Sequence, residues 1–129
     1  MRVSCKREQS LFDHDEFEVL RQSHHPAIYA LEPEALRALS AQLRRMRDKE
    51  KTLARQKQRE ARGKAEPRGA SFPGTASVPQ ARKTALTAAV RRVAKELERQ
   101  AVLAARTSHA EAARRALALR RANAFAHHP

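Results

Sequence analysis

The sequence predicts an all-α fold: a long antiparallel helical hairpin with short flanking helices and a flexible Gly/Pro-rich connecting loop. Three observations carry this. Two stretches repeat large apolar residues every three or four positions, the period of a helix buried along one face. Helix start and stop signals bracket them. The intervening composition favours helix, and aromatic residues make up only 4% of the chain.

Residues 1–10 carry no periodic pattern and read as disordered. "DHDEFEVLRQ" follows. Asp13 is a candidate N-cap, and Glu16 three residues later completes a capping box. A short helix over 14–22 is expected, with Phe17 and Leu20 on one side and Phe12 ahead of the cap. Pro26 and Pro33 break the chain in "SHHPAIYALEP", because the residue before a proline is driven out of the helical region. Ile28, Tyr29 and Leu31 supply the apolar content of this connector and are expected to dock on the helices.

Pro33 is suited to the first turn of the next helix, where its missing N–H costs nothing. Nothing breaks that helix before Arg62. At a rise of 1.5 Å per residue it would be about 45 Å long. Leu36, Leu39, Leu43, Met46 and Leu53 mark its apolar seam, which Glu50 interrupts. Gly63 is the natural stop. "GKAEPRGASFPGTASVP" then holds all three glycines and three of the six prolines. A connection of this length exceeds the usual helix-to-helix loop.

Ser77 and Gln80 form a second capping-box pattern, with Pro79 in the first turn. The helix that follows places Leu86, Val90, Val93, Leu97, Ala101 and Ala104 on one face. A third capping-box pattern, Ser108 with Glu111, predicts a break in "TSHAE" and a separate last helix over 109–124. The organisation read this way is an N-terminal acidic segment over 1–32, a basic hairpin over 33–106 with its loop at about 63–77, and a C-terminal helix and tail over 109–129. The apolar seam is thin and alanine-rich. Self-association to a dimer through Leu36, Leu39, Leu43 and Leu97 is therefore expected, with residues 28–31 capping the hairpin.

Charge indicates the partner class. Lys and Arg number 27 against 14 Asp and Glu, a formal net charge of +13. Such a surface attracts polyanions: DNA, RNA, acidic lipid or an acidic protein. The excess follows Glu34, whereas residues 1–33 are slightly acidic. A helical wheel turns the count into geometry. With Arg37 at zero, Arg44, Lys51, Arg55, Arg59 and Arg62 fall within roughly 40° of it, opposite the leucine seam. Asp48 is the one acid in this ridge. On the later helix Arg92, Lys95, Arg99 and Arg106 are expected to point away from the seam.

A solvated helix face usually alternates sign to gain i,i+4 pairs. Here Lys51, Arg55 and Arg59 succeed one another at that spacing and repel by a few tenths of a kcal/mol per pair. Phosphates would remove the cost. The stretch "ARQKQREARGKAEPRG" carries the ridge into the loop, where Lys64 and Arg68 extend it. The candidate nucleic-acid-binding residues are Arg37, Arg44, Lys51, Arg55, Arg59, Arg62, Lys64 and Arg68. No aromatic platform accompanies them, so backbone contact with little sequence reading is expected.

Other chemistries find no support. His24–His25 and His127–His128 are adjacent pairs whose side chains diverge, and His14 with Asp15 and Glu16 lacks a full ligand set. No phosphate loop, nucleophile elbow or catalytic carboxylate pair is present. No enzyme, cofactor or metal is expected. Cys5 is the single cysteine and cannot form an internal disulfide, and no apolar run suits a signal peptide or a membrane span. A cytoplasmic location without membrane insertion is expected. The competing function is a helical adaptor or subunit that binds a partner protein through the apolar seam.

Overall fold

The computed structural model describes residues 5–63 and 77–127. The fold is all-α, with no strand among the described residues. Helix α1 spans Cys5–Leu11 and α2 His14–Arg21; a 3-10 turn covers Ala27–Ala30; α3 spans Pro33–Ala61 and α4 Ser77–His127.

Where residues 1–10 read as disordered, α1 forms instead. It is held by a side chain that hydropathy does not flag: Glu8, fully buried. At α2 the capping box forms. Asp13 Oδ1 accepts from the Glu16 N–H at 2.8 Å, and Glu16 Oε1 accepts from the Asp13 N–H at 3.4 Å. Leu20 and Phe12 are buried beside it. In the connector Ile28 is buried, while Tyr29 stays 57% exposed. Pro33 starts α3 at its first turn, and Gly63 follows the C-cap with φ 71°, a conformation that suits glycine.

Two compact units divide the chain, Met1–Glu96 and Leu97–Pro129. Within the first, Leu36, Leu39 and Leu43 of α3 and Ala85, Leu86, Ala89, Val90 and Val93 of α4 are buried. Helices α3 and α4 meet through an ion pair, Arg82 Nε to Glu50 Oε1 at 2.9 Å.

The α3 seam differs from the expected one beyond Met46. Leu53 is 41% exposed, and Ala54 takes the buried position. Glu50 does not interrupt the seam. It lies in it at 4% exposure, followed by buried Lys57 and Glu60, which pair at 3.5 Å. The inner face thus changes from leucine to paired charge along its length.

The expected break at "TSHAE" is absent, and α4 is continuous through it. Thr107 Oγ1 donates to the Leu103 carbonyl at 3.0 Å, one turn back. The hydroxyl is satisfied inside the helix, and the alanine-rich sequence on both sides favours continuation over a cap. In the second unit residues 101–126 are all exposed, including Val102, Leu103, Leu117, Leu119 and Phe125. Ala101 and Ala104, expected in the seam, are among them. The Gly/Pro-rich loop over 64–76 lies outside the described residues.

Candidate nucleic-acid interface

Helix α3 segregates its charges. Its acids Glu50 and Glu60 sit on the inner face, buried at 4% and 5% exposure. Glu50 pairs with Arg82, and Glu60 with Lys57. Asp48 is engaged sideways by Arg47 at 3.5 Å. The outer face keeps Arg37, Arg44, Lys51, Arg55 and Arg59, with Arg62 at the C-cap, and all six are exposed. Among the described residues none of these six forms an ion pair. Lys64 and Arg68 lie outside the described residues.

This outcome follows from helix geometry. Residues seven apart drift by only about 20° around the axis. Arg37, Arg44 and Lys51 therefore stay aligned, about 10.5 Å apart along it. Arg55, Arg59 and Arg62 close the spacing towards the C-terminal end. The negative end of the helix dipole lies there too, so the last cations are favoured by the helix itself. Fixed on a rigid backbone, the row offers charge–charge contact and hydrogen-bond donors but no reactive group.

Two other cations point inward. Arg92, expected to face outward, is turned into the first unit. Its Nε donates to the Ser23 carbonyl at 3.1 Å and its Nη2 to Ser23 Oγ at 2.8 Å. Glu8 Oε1 lies 3.5 Å from the same Nη2. Glu8 Oε2 lies 2.5 Å from His24 Nε2, so the ring proton on that nitrogen donates to the carboxylate. Burial lowers the Arg92 pKa from its ordinary value, with Glu8 opposing the shift. His24 is thus occupied in a polar clasp. Among the described residues no group of three His, Cys, Asp or Glu side chains is placed to hold a metal ion.

Arg82 joins three elements. It pairs with Glu16 of α2 at 2.5 Å and with Glu50 of α3, and its guanidinium lies 4.9 Å from the centre of the Phe12 ring. Burial raises the Glu50 pKa, Arg82 opposes this, and Glu16 adds to it. The sequence contained one signal for this cluster: a glutamate standing in heptad register with Leu36 and Leu43. An acid there requires a cation from the facing helix.

Among the described residues no helix is long and apolar enough to cross a membrane. Comparison with protein-family models, curated proteins and solved structures finds no match for this chain.

Proposed function

We propose that the protein binds nucleic acid without catalysing a reaction, laying the outer face of α3 along the phosphate backbone of DNA or RNA with little sequence specificity. In this reading α3 and α4 form an antiparallel hairpin whose core aims the ridge outward. The observation that carries it is the sign bias of the outer face of α3: Glu50 and Glu60 are paired inside, Asp48 is the one acid in the row, and the six outward cations have no ion-pair partner among the described residues. Lys64 and Arg68 continue the positive run in sequence. Phosphate contacts of this kind position a protein on nucleic acid and carry no base information. Mobility-shift titration against two duplexes of unrelated sequence tests the reading. Equal affinities are the expected result, and a hundredfold preference for one sequence would contradict it.

The adaptor reading keeps one specific observation. Phe125 is 85% exposed and Leu119 65%, on a helical unit whose residues 101–126 are all exposed. A partner protein or a second copy would dock there. The α3 leucines cannot serve, because Leu36, Leu39 and Leu43 are already buried within one chain. Affinity capture with and without nuclease separates the readings. Material lost on nuclease treatment supports nucleic acid; one stoichiometric protein that survives supports the adaptor.

A further inference from the structure

In the unit Leu97–Pro129, the far part of α4, residues 101–126 are all exposed. Large apolar side chains stand in solvent there: Leu119 is 65% exposed and Phe125 85%. Positions spaced alternately by three and four residues mark the face that a two-helix coil buries. One such face runs through Ala101, Glu111, Arg115 and Phe125, and positions 104, 108, 118 and 122 between them carry only Ala or Ser. This run is its own complement when read backwards. Reversed about position 113, Phe125 falls opposite Ala101, and Glu111 opposite Arg115. The largest side chain meets one of the smallest, and acid meets base twice, once from each copy. A two-fold interface needs this property: residue i faces j while j faces i. Among the described residues neither Glu111 nor Arg115 forms an ion pair, so both are available to a second copy.

Charge also sets the direction. The unit carries six Arg against two Glu, and four of the Arg lie between 114 and 121. A parallel pair would stack these clusters on each other. The reversed pair sets their centres about 13 Å apart along the axis, beyond the Debye length of about 8 Å at physiological salt. An acidic partner protein would neutralise the arginines but would be repelled by Glu111 in the middle of the face. We propose that residues 101–125 form a homodimer interface, an antiparallel two-helix coil of two copies of this chain centred on reciprocal Glu111–Arg115 pairs. The contact is about 36 Å long but one helix wide. It is small for a specific interface and built mainly of alanine, which sets the dissociation constant at roughly tens of micromolar. It uses no residue of the α3 ridge, so it does not rest on nucleic-acid binding.

The test is sedimentation equilibrium of the nuclease-treated full chain, with helicity followed by circular dichroism. Phe125→Ala should weaken the dimer about tenfold. Glu111→Arg and Arg115→Glu should each weaken it more than about tenfold, because like charges then face each other. Both positions are exposed, so helicity should stay unchanged. Mixing these two variants should restore dimers, since each offers the charge that the other lacks. Exchanging both residues within one chain should restore the homodimer. Direction is read by disulfide trapping in chains carrying Cys5→Ser. Ala104→Cys mixed with Ala122→Cys should give the mixed disulfide in preference to either symmetric one, and the reverse preference would overturn the antiparallel arrangement. A strict monomer up to about 500 µM, or no rescue on mixing the charge variants, would overturn the proposal and leave the exposed face to a different protein.

Discussion

Arg92 shows how one side chain can anchor an element that hydropathy does not predict. Its planar fork bonds Ser23 through two nitrogens while Glu8, fully buried on α1, lies 3.5 Å away. Arg92→Ala would leave that carboxylate without its cation, at a cost of about 3 kcal/mol. Arg92→Lys keeps the charge but not the two-pronged geometry, and should recover less than half of the loss. Urea unfolding measures both, and amide hydrogen exchange should show α1 losing protection first. Unchanged midpoints would mean that α1 is held by something else. From sequence alone this position is indistinguishable from Lys95 or Arg106, because polar side chains next to a seam can turn either way. What decides is the partner: Glu8 lies more than eighty residues away in sequence. Asp13 and Glu16 were legible for the opposite reason, since a capping box closes within four residues.

Helix α3 carries both kinds of inner contact. Its leucine end was readable, because Leu36, Leu39 and Leu43 repeat at helical spacing and all three are buried. Leu43→Asp should cost about 4 kcal/mol by placing a charge at a fully buried site, enough to lower far-ultraviolet helicity measurably. Retained helicity and an unchanged melting temperature would contradict the packing. Of the charged end only Glu50 carried a signal, its register with Leu36 and Leu43; Lys57 and Glu60 look like surface residues until their burial is known. Glu50 gives this end a pH signature. Burial raises its folded pKa above the ordinary value of 4.5. Between those two values the folded chain holds a proton that the unfolded chain has released, so stability from this group falls as pH rises through the window. The urea midpoint of Glu50→Gln minus that of the parent should therefore increase with pH above about 4.5 and then level off. A flat difference would mean that Glu50 is no more buried than an ordinary surface acid. The α4 continuity failed to show in sequence because Ser108 and Glu111 match a capping box, yet the alanine-rich sequence around them outweighs a local cap.

Burial and charge together produce the face on which the proposed function rests. The inner pairing within the unit Met1–Glu96 takes Glu50 and Glu60 off the outer side of α3 and leaves six cations there with Asp48 as the one acid among them. The ridge was legible in the sequence because a wheel depends only on helical period, and α3 is helical over its expected length. Its continuation at Lys64 and Arg68 is known from sequence only. Net charge of +13 would attract polyanions wherever it lay, so position and not total is the point to test. Fluorescence anisotropy of a labelled duplex across a salt series does so. About six phosphate contacts give a log–log slope near −5 on duplex DNA. Replacing Arg44, Lys51, Arg55 and Arg59 by Gln should flatten that slope by about three to four units with helicity intact. Replacing Arg114, Arg115, Arg120 and Arg121, which scatter around their helix, should flatten it by less than about half as much. Equal flattening by both quadruple variants would reduce binding to net charge and contradict a ridge on α3, and no binding at low salt would contradict nucleic-acid recognition itself.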